Sequence, residues 1–485
     1  MIDKLKQLSK ETAIYGVSTM VGRFLNFLLV PLYTNIFPPS EYGIVNNLYA
    51  LIAILNIIFI YGMDSAYLKF GSLSDDDLGE DRFSTPFISV VMIAVFFGLL
   101  LSSLRGSIGA ALSIPPKYYY LITYVAVILT FDAITSLPFI KLRIERKAKK
   151  FAVFKILNIS INVILNLILI LKLRFGIEAI FICNALASLS SLLLLFPTIF
   201  KSFHFHVAKK YLKRLLKFGL PILPAGLAIM IVQVADVPIL THLTNFKIVG
   251  IYKANYRLGI FMMLFVNMFQ YAWQPFFLQE SKDKNAKQLF SKVLTYFTLV
   301  GSFILVTLSL FLDDIVKIEI LHRPIIGAAY WSGLSIVPIV LFGYLFNGIY
   351  VIFNAGLYIT EKSKYFPFIT GLGAVVNVAA NIILIPVWGI MGAALATLFA
   401  YMVIAVGFYF VTQKVYKINY EYWKIAKIFI TITIIGGIYY YLFDNGIINL
   451  FYKFLIMLLF IILNLVFVID SNEINYLKRK FFKST

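Results

Sequence analysis

Acidic residues are scarce in this chain. Asp and Glu number 23 against 43 Lys and Arg, and charged residues of either sign make up only 14% of the 485. Cysteine occurs once, at Cys183, which excludes an intrachain disulfide and any cysteine-built metal cluster. Histidine occurs four times. His204 and His206 stand two apart at a helix end, with no carboxylate or cysteine near them in sequence, so no zinc pattern is present. Long loops are missing as well. The longest loops, such as 69–84, 201–217 and 313–327, run to about sixteen residues, too few to hold a soluble catalytic domain. A nucleotide-binding loop is also lacking. Residues 16–23, GVSTMVGR, end in arginine with the wrong glycine spacing, whereas a phosphate loop needs four residues between its glycines and then Lys-Ser/Thr. ATP hydrolysis and metal-dependent catalysis are therefore set aside, and no cofactor is expected.

What the chain has instead is apolar length. Hydrophobic residues reach 61%, and mean hydropathy is +0.88. Soluble domains hold roughly 45–50% apolar residues. Apolar runs of about 20 residues recur along the sequence, and in lipid such runs must be helices. We expect about fourteen spans, at roughly 12–36, 43–67, 85–104, 118–140, 152–171, 177–200, 218–241, 249–275, 290–312, 328–353, 365–385, 389–412, 424–443 and 447–469. The first run is about 25 residues with no small-residue cleavage site behind it, which fits a first membrane helix rather than a removed signal.

The charges test this span set. With the N-terminus inside, cytosolic segments hold 32 Lys and Arg and external segments hold 7. That asymmetry follows the positive-inside rule and places both termini in the cytosol. The net charge of +20 is then a membrane-surface and topology signal, not a nucleic-acid footprint. Asp75-Asp76-Asp77 with Glu80 and Asp81 reads as a solvated cytosolic turn.

The sequence repeats itself. At an offset of 207, Val30-Pro31 falls on Val237-Pro238, Thr34 on Thr241, Gly43-Ile44 on Gly250-Ile251, and Leu51 on Leu258. Asn162-Val163 and Asn166 recur as Asn377-Val378 and Asn381, and Gly176-Ile177 as Gly389-Ile390. Six spans return the chain to the side it left, so the two copies run parallel. The expected fold is all-α and polytopic: two six-helix lobes, 1–205 and 206–415, then two extra helices and a cytosolic tail in 416–485. Two-lobed bundles of this kind suit alternating access, with substrate between the lobes.

Four cations lie inside the spans, Arg23, Lys253, Arg257 and Lys453, and the first three fall within the two repeated lobes. Facing lipid they would cost about 2.5–3.5 kcal/mol each, so they must face a wet cavity or partner charges. Arginine suits a diphosphate because its planar fork gives two hydrogen bonds, and lysine adds a point charge. Asp64, Asp132 and Asp236 are also intramembrane, as candidates for charge pairing or for binding a coupling H⁺ or Na⁺. Asn158, Asn162 and Asn166 form an i, i+4, i+8 stripe, suited to sugar contacts or to interhelical hydrogen bonds. Tyr15, Tyr33, Tyr49, Tyr61 and Tyr67 could stack on sugar rings or anchor the interface.

Gly16, Arg23 and Val30-Pro31, the Glu41-Tyr42-Gly43-Ile44 turn, Phe218-Gly219-Leu220-Pro221, and the Asn162/Asn166-then-Gly176 block together resemble the polysaccharide transporter family. That family lies in the multidrug/oligosaccharidyl-lipid/polysaccharide (MOP) exporter superfamily and includes the O-antigen and lipid-linked oligosaccharide flippases. The resemblance spans essentially the whole chain. It implies a non-enzymatic flippase in the bacterial inner membrane. Such a protein carries an undecaprenyl-diphosphate-linked O-antigen, capsule or exopolysaccharide unit to the outer leaflet, with a glycan polymerase as a downstream partner. Two other readings stand beside it. A multidrug or cation antiporter would want an acidic cavity, and a membrane glycan polymerase would want a sizeable external loop.

Overall fold

The computed structural model describes residues 16, 20–71, 81–281, 283–320, 322–360 and 362–469. The acidic run at Asp75–Asp77 and Glu80, Tyr15, and the tail beyond 469 lie outside the described residues. Over those described, each of the fourteen expected segments falls on helical backbone, with local breaks. Among the described residues, eleven helices are long and apolar enough to cross a membrane. The protein is therefore a multi-pass membrane protein with a polytopic helical fold. Strand occurs among the described residues as one two-residue antiparallel hairpin, Glu319–Ile320 with Arg323–Pro324, inside a stretch read as loop.

The repeated residues act on the backbone in the same way in both copies. Helical residues 20–27 break at Leu28 before Leu29–Ile36, and Leu223–Val234 breaks at Ala235 before Asp236–Leu243. Leu28 and Ala235 are 207 residues apart, each three residues ahead of the duplicated proline. Proline has no N–H to donate, so the helix loses one bond to the preceding turn at each place. The duplicated glycines meet one another. A Cβ at Gly43 would run into the Phe246 carbonyl, and a Cβ at Gly250 would run into the Pro39 carbonyl. Phe246 is the counterpart of Pro39, so the contact is reciprocal, as around a local twofold axis. Only glycine lets Pro39–Ile60 and Phe246–Tyr256 approach this closely.

One boundary differs from the sequence expectation. The expected spans 365–385 and 389–412 leave Pro386 at their division, but helix runs through that proline. The break is at Gly389, with φ 53° and ψ −128°, inside Phe366–Val415. Proline keeps a helical φ and forfeits one hydrogen bond, whereas a residue in this left-handed conformation cannot continue a right-handed helix.

By compactness the chain forms two units. One comprises Met1–Ile260, Ile326–Ile336 and Phe366–Ala400; the other comprises Phe261–Ile325, Val337–Tyr365 and Tyr401–Thr485. This division does not follow the duplication. The start of the second copy packs into the first unit because Phe246–Tyr256 is locked against Pro39–Ile60. In the first unit, the turn at Ala328–Ile336 joins the same assembly. Asn255 donates to the Tyr330 carbonyl at 2.8 Å, and the Tyr330 hydroxyl donates to the Phe37 carbonyl at 2.8 Å. In the second unit, Ala286–Lys317 is the long central helix, and Tyr422–Asp444 and Leu450–Phe467 pack with it.

Candidate functional site

The candidate site grows from one face of Pro39–Ile60. Tyr42, Asn46 and Tyr49 stand at i, i+4 and i+7, the spacing that stacks side chains along one helix stripe. Opposite them, Phe246–Tyr256 passes into the short 3₁₀ turn Arg257–Gly259, which carries Arg257. The Arg257 Nη2 donates to Asn46 Oδ1 at 3.2 Å. Its guanidinium carbon lies 5.6 Å from the Tyr42 ring centre and 6.0 Å from that of Tyr49. Among the described residues no carboxylate forms an ion pair with Arg257. A half-buried guanidinium is thus held by a neutral amide and two aromatic faces, leaving N–H groups and a full charge available to an anion.

Lys253 is engaged differently. Its ammonium lies 3.0 and 3.3 Å from the two oxygens of Asp236, with side-chain exposures of 11% and 3% for the two residues. The ammonium also sits 4.5 Å from the Tyr256 ring centre. Asp236 opens the helix Asp236–Leu243, where the partial positive charge of a helix N-terminus favours a carboxylate. Of the two roles open to Lys253, the structure fills internal pairing.

Arg23 is exposed on the helical segment 20–27. Among the described residues no hydrogen bond, ion pair or ring contact engages it, and nothing joins it to Arg257 or Lys253. Asp64 is half-buried on Met63–Gly71, with no hydrogen bond or ion pair among the described residues. Asp132, on Leu121–Ile144, accepts from the Ser188 hydroxyl at 2.6 Å, with Lys155 within electrostatic range. The Lys155 ammonium rests over the Phe139 ring at 4.1 Å rather than in an ion pair.

The asparagine stripe is taken up in interhelical bonds. Asn158 donates to the Ala187 carbonyl at 2.6 Å and to Ser191 at 2.9 Å. Asn162 donates to Asn184 at 2.5 Å, and Asn166 accepts from the Tyr33 hydroxyl at 2.8 Å. The facing residues Asn184, Ser188 and Ser191 escaped notice in the sequence. Their signal was present: three polar positions at spacings of four and three on the mainly apolar helix Glu178–Phe200. Asn46 was equally quiet, because an amide is unremarkable in a membrane helix until a guanidinium is placed beside it, and Tyr42 stood out only as part of the Glu41-Tyr42-Gly43-Ile44 turn. His206, which has no acid near in sequence, meets Asp81 at 2.9 Å in space, at an exposed position.

No curated protein matches the sequence. Among solved structures, the lipid II flippase MurJ in its inward closed conformation gives a TM-score of 0.76 at 16% identity, covering 97% of this chain and 100% of that one. An inward-facing multidrug resistance MATE family transporter of the MOP superfamily gives 0.66 at 13% identity, over 83% of this chain and 97% of that one. The Vibrio cholerae MATE transporter VcmN in its bent form gives 0.55 at 14% identity, over 84% and 96%. These likenesses establish the fold as the one shared by MurJ and the MATE transporters. The family described as polysaccharide biosynthesis protein matches residues 8–280, more than half of the chain, and this chain belongs to that family.

Proposed function

We propose that the protein is a flippase. It moves an undecaprenyl-diphosphate-linked oligosaccharide from the inner to the outer leaflet of the bacterial inner membrane by alternating access. The observation that carries this reading is Arg257, an intramembrane cation with no carboxylate partner among the described residues and a neutral amide as its acceptor. A cation left in this state within lipid costs about 2.5–3.5 kcal/mol unless an anion or water compensates it. The diphosphate of a lipid-linked glycan supplies that anion, and the guanidinium fork matches its oxygens. Family membership in polysaccharide biosynthesis supports a glycan precursor as cargo.

In this reading the six-helix copies 1–205 and 206–415 are the moving lobes, the residues from 416 on are an addition, and both termini face the cytosol. Arg23 serves as a second cavity cation. Lys253, neutralised by Asp236, tunes the site rather than binding cargo directly. Asp132, bonded to Ser188, and Asp64, without an ion partner among the described residues, are the candidates for a coupling H⁺ or Na⁺. A glycan polymerase would take the flipped unit, which is an O-antigen, capsule or exopolysaccharide repeat. The fold of the multidrug transporters keeps an antiporter reading open. A cation-exporting cavity calls for carboxylates, however, and the Arg257 site is built from a cation, an amide and two aromatic rings.

A deletion strain separates the readings. Build-up of the undecaprenyl-linked unit on the cytosolic face is expected, with export lost again in Arg257→Ala and Arg23→Ala proteins that still insert. Surface glycan at wild-type level in both variants would sink the cavity-cation role.

A further inference from the structure

The asparagine stripe has a direction. The Tyr33 hydroxyl donates to Asn166 Oδ1 at 2.8 Å, and Asn166 Nδ2 donates to Asn162 Oδ1 at 2.8 Å. Asn162 Nδ2 donates to Asn184 Oδ1 at 2.5 Å, and Asn184 Nδ2 donates to the Tyr49 oxygen at 2.5 Å. Every link sends its proton the same way, toward Tyr49. Because the Tyr49 oxygen accepts, its own hydrogen is left over, and among the described residues no acceptor takes it. That hydroxyl belongs to the ring 6.0 Å from the Arg257 guanidinium carbon. Tyr49 is also stacked on Phe181, with ring centres 5.8 Å apart, so its ring is braced on one face and its oxygen on another.

We infer that Tyr49 and Arg257 form a two-donor subsite for a phosphoryl oxyanion, and that Asn184 is the positioning residue that holds Tyr49 for it. Asn46 keeps the place of that oxyanion until it arrives. The inference rests on reading Arg257 as an anion-binding cation. A chain of hydrogen bonds with one sense polarises its last member, so the Tyr49 O–H is a stronger donor than an isolated phenol. A hydroxyl on a ring that the guanidinium overlies gives an oxyanion at Arg257 a second charge-assisted donor. Asn46 is suited to the waiting role because it is neutral. A carboxylate at that position would form a salt bridge with Arg257 and compete with the cargo, whereas an amide oxygen yields to a phosphate. The oxyanion could come from a lipid-linked diphosphate or from a bilayer phospholipid headgroup, so the test carries both.

The full-length protein in nanodiscs is titrated with undecaprenyl diphosphate and, separately, with phosphatidylglycerol. Tyr49→Phe keeps the ring and removes only the hydroxyl. It should weaken undecaprenyl diphosphate binding about tenfold, the scale of one charge-assisted hydrogen bond, while leaving phosphatidylglycerol binding unchanged. Asn184→Ala should weaken diphosphate binding by a similar factor alone and add nothing in a Tyr49→Phe background. A role confined to packing would add. Asn46→Asp, which supplies a carboxylate to Arg257, should abolish diphosphate binding, and it provides an independent reading if Tyr49→Phe misfolds. Wild-type affinity in both Tyr49→Phe and Asn46→Asp overturns the subsite. Equal losses for both lipids would assign it to bilayer headgroups and overturn the cargo assignment. Loss of binding in Arg257→Ala with none in Tyr49→Phe leaves the cation role standing and removes this inference alone. Wild-type affinity in Arg257→Ala removes the reading beneath it as well.

Discussion

Lys253 and Arg257 stand one helical turn apart, yet the molecule treats them in opposite ways. Lys253 has its counter-ion at 3.0 Å, and Arg257 has an amide at 3.2 Å. Breaking one side of a buried pair costs more than the pair contributes, because the remaining charge is left in low dielectric. Asp236→Asn should therefore destabilise the protein by about 3–5 kcal/mol, whereas the double change Asp236→Leu with Lys253→Met should restore most of that loss. Thermal unfolding in detergent measures both. A double variant no more stable than Asp236→Asn would mean that the pair does more than neutralise itself. At this scale the sequence showed that the charges were costly, since position in an apolar run is a local property. It could not show which of them was paired. Asp236 is 17 residues from Lys253, and Asn46 is 211 from Arg257, so both partnerships arise only from tertiary packing.

At the scale of elements, the duplication was the most legible feature, and the structure gives it a physical meaning. Val30-Pro31 and Val237-Pro238 break their helices at equivalent residues. Gly43 and Gly250 are kept because each lies against the backbone of the other copy. A methyl group at either should force the two helices apart by the same amount, at a cost of roughly 1–3 kcal/mol, as overpacking does. Gly43→Ala and Gly250→Ala should thus lower the unfolding temperature similarly. If one were tolerated and the other not, the reciprocal contact would be wrong. Breaks were harder to read than repeats. Proline announces itself, and so the division was expected at Pro386; the actual break at Gly389 depends on a backbone conformation that glycine permits without requiring. The asparagine stripe was visible in period, but whether it met sugar or another helix depended on Asn184 and Ser191 across the interface.

For the whole molecule, the last two helices pose the sharpest question. They have no counterpart in the repeat, so by sequence they read as an addition. In the structure they are bound into the second compact unit. Lys453, with a side chain only 6% exposed, reaches Asp314 on Ala286–Lys317 at 2.5 Å. Glu421, just ahead of Tyr422–Asp444, accepts from Thr295 at 2.7 Å, and Met457 meets the Thr307 hydroxyl at 3.7 Å. These contacts lie along a single helix, so the pair covers one side of Ala286–Lys317 rather than sitting apart from it. Removing residues from 416 onward would bare that side and strip Asp314 of its cation. The truncated chain should insert poorly or unfold well below the full-length protein. Lys453→Met should reproduce part of that loss by leaving Asp314 unpaired; since Asp314 is 46% exposed, water limits the loss to about 1 kcal/mol. Unfolding followed by a fluorescent thiol probe at the buried Cys183, in the first unit, distinguishes two outcomes. If the truncation exposes Cys183 at the same temperature as in the full-length protein, the damage is confined to the second unit and the two units unfold separately. If Cys183 is exposed earlier, the terminal helices support the cooperative fold of the whole chain; the first outcome is the one expected, because the contacts of these helices lie along Ala286–Lys317 in their own unit.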